Sequence, residues 1–195
     1  MIDEGLKPLL GHDLQLGFVV RDLDKALDHW VNVLQVGPFL HLEEGTGRPA
    51  NPSLYKGVAQ RIDLRLAFGY MGDVQIELIE QVNDAPSPYQ EFLAKGQEGL
   101  QHFGFAVPDF ARAHQGLLQA GYQIELEIPI AGSSEAITYF SSPKAIGPMV
   151  EIVPPQWRAA RAAVKAHLRD LKGPDPILRH QSYGAFLAYA GVTFD

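Results

Sequence analysis

"GLQHFGFAVPDFARAHQGLLQAGY", Gly99 to Tyr122, reads as a strand, a sharp turn and a helix. A titratable imidazole, His102, stands at the head of an otherwise apolar strand. An earlier stretch, "LQLGFVVRDLDKALDHWVNVLQVG", Leu14 to Gly37, has the same grammar, with Gln15 where His102 stands. Aligning Gln15–Ala26 with His102–Ala113, an offset of 87, gives five identities in twelve: Gly17/Gly104, Phe18/Phe105, Val20/Val107, Asp22/Asp109 and Ala26/Ala113. Identity at a fixed offset marks a repeated supersecondary unit. Both strands are β-branched and aromatic, as pleated surfaces favour. Asp22 and Asp109 stand where each caps the helix that follows. The helices are expected through Ala26–Leu34 and Ala113–Leu118, ending at Gly37 and Gly121.

Each copy also closes on a similar strand, "VQIELIE" at Val74–Glu80 and "PMVEIVP" at Pro148–Pro154. Further strand candidates lie between: "RIDLRLAFGY" in the first half, "YQIELEI" and "AITYFSS" in the second. The order in each half is therefore β-α-β-β-β. Alternation along a strand separates Leu16, Phe18 and Val20 from Gln15, Gly17 and Val19. It separates Phe103, Phe105 and Val107 from His102, Gly104 and Ala106 in the same way. One face is bulky and suits a covering helix; the other begins with a polar group and continues small, as a cavity wall would. The same parity puts Ile76/Leu78 and Val150/Ile152 under helices and leaves Glu77 and Glu151 facing inward.

A carboxylate in an apolar strand is unfavourable by several kcal/mol unless it is paired or coordinates a metal. Gln15, Glu77, His102 and Glu151 occupy matching places in the two repeats. They offer oxygen and imidazole-nitrogen donors suited to one divalent ion: zinc, nickel, manganese, cobalt or iron. Taken singly, His102 also reads as a hydrogen-bonded core histidine, and either Glu as the partner of Arg61 or Arg65. His12, three residues before Gln15, is a rival ligand. His29 and His114 read as helix-surface residues.

The chain has 195 residues, 46% of them hydrophobic, a net charge of −7 and no cysteine. Disulfides, thiolate zinc sites and cysteine nucleophiles are thereby excluded. The acidic balance argues against nucleic acid as partner. No apolar run reaches membrane-spanning length, and "MIDEGLKPLLGHD" lacks a signal pattern, so a cytoplasmic protein with no membrane association is expected. Charge is uneven: residues 156–195 carry six Lys/Arg and three Asp/Glu, the rest ten and twenty. A boundary is expected at "PPQWRAARAAVKAHLRDLKGPDP". The basic positions of its helix read as a solvated face. The stripe Trp157, Ala160, Val164, Leu168 and Leu171 is expected to pack on the core or on a second subunit.

"LGFVVRDLDKALDHW", "VGPF", "IELIE", "LQHFGFAVPDF" and "VEIV" together resemble the vicinal oxygen chelate superfamily, in its glyoxalase-like and methylmalonyl-CoA epimerase-like branch. The resemblance covers residues 12–154. It implies an α+β fold of two βαβββ modules, about 12–82 and 99–154, forming a cupped eight-stranded half-barrel, with residues 155–195 as a C-terminal helical extension. It also implies a divalent metal, zinc first, on Gln15, Glu77, His102 and Glu151, a small-molecule substrate and a homodimer. The activity implied is that of a metal-dependent isomerase, epimerase or lyase on a small carbonyl or thioester compound, working through an enediolate, with Glu151 as first candidate for the base and Glu77 as second. The alternatives are a non-catalytic binding protein of the same fold and a dioxygenase. The ligand set is similar to that of zinc lactoylglutathione lyases, but Val19 and Gln81 stand where those carry the Arg and Asn that hold glutathione. His41–Arg61 reads as a loop over the cup, whose Arg48, Lys56 and Arg61 are candidates to meet an anionic substrate.

Overall fold

A computed structural model describes residues 9–46, 51–130, 133–143 and 147–193. Two strands form the hinge of the fold: β1 (Leu14–Val19) and β7 (Gly99–Ala106) run antiparallel side by side. Each is flanked by the closing strand of its own repeat, β1 by β6 (Val74–Gln81) and β7 by β10 (Met149–Val153), both parallel. Outward from these lie β5 (Leu64–Met71) and β2 (Phe39–Leu42) on one side, β9 (Ala136–Ser141) and β8 (Gln123–Pro129) on the other. These eight strands are the two expected βαβββ units, curled into one open sheet.

Helix α1 (Leu23–Asp28) and helix α3 (Phe110–Gln119) cover the convex face. Leu16, Phe18, Ile76 and Leu78 pack under α1 with Leu23 and Leu27. Phe105, Phe140, Val150 and Ile152 pack under α3 with Ala113 and Leu117. The expected caps are formed: Asp22 accepts from the Lys25 N–H at 3.0 Å and Asp109 from the Arg112 N–H at 2.9 Å. Such caps contribute about 1 kcal/mol each. Helix α1 is shorter than expected, because the chain passes at His29–Val33 into a π-helical turn.

Among the described residues the sheet has eleven strands rather than eight. The stretch expected as a loop contains a hairpin, β3 (Ser53–Tyr55) and β4 (Val58–Gln60), turning at Lys56 and Gly57, both at positive φ. That is the backbone a tight hairpin needs for its twist to match its strands. β3 pairs with β8, so the first repeat closes the edge of the second. Lys56 is held there by Glu91 and Glu125, and Arg61 is exposed, its carbonyl accepting from Asn83. Arg48 lies outside the described residues. A short helix, α2 (Pro88–Ala94), links the repeats.

The C-terminal segment is not purely helical: α4 (Trp157–Arg169) is followed by β11 (Ile177–His180), which pairs with β2, and by α5 (Tyr183–Ala190). Its apolar stripe is used within the chain. Ala160, Val164 and Leu168, with Tyr183 and Phe186, pack into the concave face against Phe68, Ile79, Ala106 and Val153. Ala160, Val164 and Leu168, buried there, therefore offer no surface to a second subunit. Nor is the basic face wholly solvated: Arg161 is buried. Among the described residues no helix is long and apolar enough to cross a membrane.

Candidate metal centre

Register carries the four polar residues to one place. In the β1–β7 pair Gln15 stands opposite Gly104 and Gly17 opposite His102. In the parallel pairs Gly17 stands beside Glu77 and Gly104 beside Glu151. Each glycine thus has the carboxylate of its own repeat on one side and the His or Gln of the other repeat on the opposite side. A Cβ at Gly17 would enter the His102 ring; one at Gly104 would stand 2.5 Å from both Gln15 Oε1 and Glu151 Oε2. The two glycines are the space in which these side chains converge.

One ligand atom from each of Glu77, His102 and Glu151 lies within 4.8 Å of the others. His102 Nε2 is 3.4 Å from Glu77 Oε2 and 3.7 Å from Glu151 Oε2. His102 is fully buried, and Glu77 and Glu151 nearly so. Glu77 Oε2 and His102 Nε2 have no hydrogen-bond partner among the described residues. Burial pushes the Glu77 carboxyl up to about 8, partly offset by the Arg161 charge. Burial also raises Glu151, while His102 and a hydrogen bond from Tyr139 pull it back. The same burial lowers His102.

The orientation of each donor is set by residues that sequence reasoning missed. The β1–β7 register steps from Gly17/His102 to Phe18/Leu100, leaving Gln101 as the extra residue of a bulge. Bulged and buried, Gln101 turns its Oε1 to His102 Nδ1 at 2.9 Å, while its amide nitrogen reaches the Pro88 carbonyl. A carbonyl oxygen only accepts, so Nδ1 carries the proton and Nε2 presents its lone pair. Gln15 is oriented by a relay: the Tyr70 hydroxyl donates to the Arg161 carbonyl at 2.7 Å, Gln75 Nε2 donates to Tyr70 at 2.9 Å, and Gln15 Nε2 donates to Gln75 Oε1 at 2.9 Å. Gln15 Oε1 is left facing the cluster. Gln75 was findable, being two residues from Glu77 on the same inward face. Gln101 and Arg161 were not, since a bulge and a remote helix place them.

These donors fit a divalent cation. Two buried acceptors, Nε2 and Glu77 Oε2, face one another across 3.4 Å, an arrangement that is unfavourable in a dry site unless a cation or proton lies between them. Four N/O donors with hydrogen-bonded support behind them are what zinc and its neighbours use. His12 lies instead in an outer groove with Asp13, Arg158 and Lys165. His29 is exposed, and His114 is half-buried against Phe140. Neither carboxylate is paired with Arg61 or Arg65; Arg65 engages Asp24, Glu43 and Glu80. Val19 is buried in the core, and the Gln81 amide is committed to Asn83 and Ala85.

Residues 14–139 match the profile of the glyoxalase/bleomycin resistance protein/dioxygenase superfamily. A search of curated proteins gives no match. Among solved structures, methylmalonyl-CoA epimerase from Mycobacterium tuberculosis is similar at a TM-score of 0.53 and 22% identity, covering 81% of this chain and 97% of that one. A hypothetical protein from Bacillus halodurans is similar at 0.50 and 22%, covering 71% and 89%. A mutant 4-hydroxymandelate synthase from Streptomyces coelicolor is similar at 0.50 and 15%, covering 72% and 37%. At these identities the likeness concerns the fold.

Proposed function

The chain belongs to the glyoxalase/bleomycin resistance protein/dioxygenase superfamily, and from that membership we propose that it is a metal-dependent isomerase, epimerase or lyase acting on a small carbonyl compound. The carrying observation is the buried Glu77–His102–Glu151 cluster with its two orphaned, facing acceptors. Gln15, Glu77, His102 and Glu151 would hold one divalent ion, zinc before nickel, cobalt, manganese or iron. When bound, the ion supplies Lewis-acid polarisation of a substrate carbonyl.

The chain's residues do the rest. Gln101 keeps the imidazole in the tautomer that ligates, and the Tyr70–Gln75 relay keeps the Gln15 oxygen turned inward. Glu151 is the first candidate to take the proton from the carbon next to the carbonyl, a role open to it only while its carboxylate is not a ligand. Its burial raises its basicity toward neutral pH when it is free, the condition a general base needs. Tyr139 stands beside the same carboxylate and pulls its raised value part of the way back. Glu77 is the second candidate for the base. A two-His-one-carboxylate iron site, as non-haem oxygenases use, would need a second histidine where Gln15 stands. A homodimer completes the reading; its contact lies elsewhere than on the stripe of α4, and a monomer in sedimentation at micromolar concentration rejects it.

Elemental analysis tests the site. The full chain is expected to carry one divalent ion, and His102→Ala and Glu77→Ala to lose it; retention of a full load by both variants overturns the assignment. Glu151→Gln tests the base. It is expected to keep metal and to slow exchange of pyruvate methyl hydrogens with deuterated water by about 10²–10⁴-fold, the usual contribution of a general base. Metal binding with no exchange in the unsubstituted protein would favour the binding-only member of the same fold.

A further inference from the structure

The cup is closed from within its own chain. Trp157 and Arg161 of α4 and Tyr183 of α5 line the inner cavity together with Gln15, Glu77 and Glu151. The space left is about 40 Å³. That admits a few non-hydrogen atoms, against the 300–1,000 Å³ typical of pockets for larger ligands. Much of the remaining wall is apolar, including Leu64, Leu66, Phe68, Ile128, Ile137 and Val153. The charged groups of the lining are gathered at one end, where Gln15, the two carboxylates and Arg161 converge.

Arg161 is the buried cation of that end, only 6% exposed. Its Nη1 is held by the Asp13 carbonyl at 3.1 Å and by Asp13 Oδ1 at 2.8 Å. Its Nη2 ends 3.5 Å from Gln15 Oε1, the outer limit of a hydrogen bond, so that nitrogen retains donor capacity at the metal centre. A guanidinium with one edge anchored and the other turned to a cavity is suited to grip a carboxylate. Arg161 also lines an outer groove of about 650 Å³, beside Arg158 and Lys165 of the same helix. Arg161 thus borders both the groove and the cavity.

From these placements we infer that Arg161, supplied by the C-terminal segment, is the anion anchor of the site and that the ligand is a compact carboxylate with neighbouring oxygens, such as a short 2-oxo acid. The inference rests on the metal-centre reading above and adds the substrate class. Two charges of the carboxylate pair are balanced by a divalent ion, with Gln15 and His102 neutral; the carboxylate of the ligand then meets Arg161, a cation it shares with Asp13 on the far edge of the guanidinium. The segment that supplies the charge also sets the size limit. Bulky carrier-bound acyl groups do not fit beneath α4 and α5 as they are packed.

The test uses the full chain loaded with zinc, with oxalate as probe and calorimetry as readout, metal content being measured on every sample. Oxalate is expected to bind the unsubstituted protein, and Arg161→Gln to weaken it by roughly 10- to 100-fold, the range for a lost charge-assisted hydrogen bond. Arg161→Lys should recover part of the loss, with one zinc per chain throughout. Asp13→Asn keeps the carbonyl and an Oδ1 acceptor that anchor Nη1 but removes the charge that competes for the guanidinium, and should tighten oxalate binding. It carries the test if Arg161→Gln does not fold, and weaker or unchanged binding in it then overturns the anchor. Equal oxalate affinity in Arg161→Gln and the unsubstituted protein, or no oxalate binding at millimolar concentration with zinc in place, also overturns it. Absence of zinc from the unsubstituted protein refutes the metal-centre reading instead, so the two failures are told apart.

Discussion

Gly17→Ala is the smallest change that tests the geometry of the centre, because it adds one methyl group and touches no ligand. The added Cβ would overlap Cε1, Nε2 and Nδ1 of His102. Non-bonded carbons settle at about 3.5–4.0 Å, so the ring must retreat by roughly 1 Å or more. The backbone has little room to give instead, since Gly17 sits in a three-strand ladder between Glu77 and His102. Ligand distances in metal sites hold to about ±0.2 Å, so an imidazole displaced that far no longer ligates. The expected result is a loss of metal affinity of at least 10- to 100-fold, the loss that even disturbing a ligand's support produces. Overpacking should also remove about 1–3 kcal/mol of stability. For a chain of this size that lowers Tm by roughly 2–12 °C. Gly104→Ala should behave alike, through Gln15 and Glu151. Gly184→Ala, whose Cβ meets nothing nearer than the Ser182 hydroxyl at 3.9 Å within α5, is the control, and should keep metal and gain slightly in stability. Metal titration of the three variants beside thermal unfolding decides the matter. Undiminished metal binding by Gly17→Ala with a native fold would refute the placement of His102 over that glycine.

Stability of the metal-free protein should fall as pH rises from 6.5 to 8. Glu77 has its folded value near 8, above its unfolded value, so the stability it contributes is fully present at low pH and is lost as pH climbs toward 8. His102, lowered by burial, acts with the opposite sign but only below its ordinary 6.5. One proton over this window corresponds to about 2 kcal/mol, or roughly 4–8 °C in Tm; Tm of chelator-treated protein against pH checks it, and a rise across the window contradicts it. Gln101→Leu should leave the fold intact and weaken metal by about 10- to 100-fold through loss of the His102 Nδ1 acceptor, read by competition with a chelating dye. Lactoylglutathione lyase activity should be absent or very low, since buried Val19 and the committed Gln81 amide cannot hold a glutathione carboxylate; rapid turnover of the methylglyoxal–glutathione hemithioacetal would reverse this.

What the sequence by itself determined follows from short-range periodicity. Alternation along β1, β6, β7 and β10 places Gln15, Glu77, His102 and Glu151 on inward faces. The repeat at an offset of 87 relates them in pairs, and Asp22 and Asp109 announce their helices. These signals survive in sequence because strand parity and helix capping depend on near neighbours alone. The hairpin at Lys56–Gly57 was hidden by the brevity of its strands, and the π-helical turn at His29–Val33 interrupts a pattern that continues as helix on paper. Tertiary structure alone decided the rest. Gln101 reaches His102 only because a bulge re-aims it, and the Gln15 amide takes its direction from a relay that ends on a carbonyl of α4. Arg161 reads in sequence as one basic residue on an amphipathic helix. It becomes a buried charge at the centre because β11 pairs with β2 and α4 and α5 fold into the cup, bringing Arg161 beside Asp13 and Gln15. Electrostatics of that kind acts through space between segments remote in the chain, where no local pattern records it.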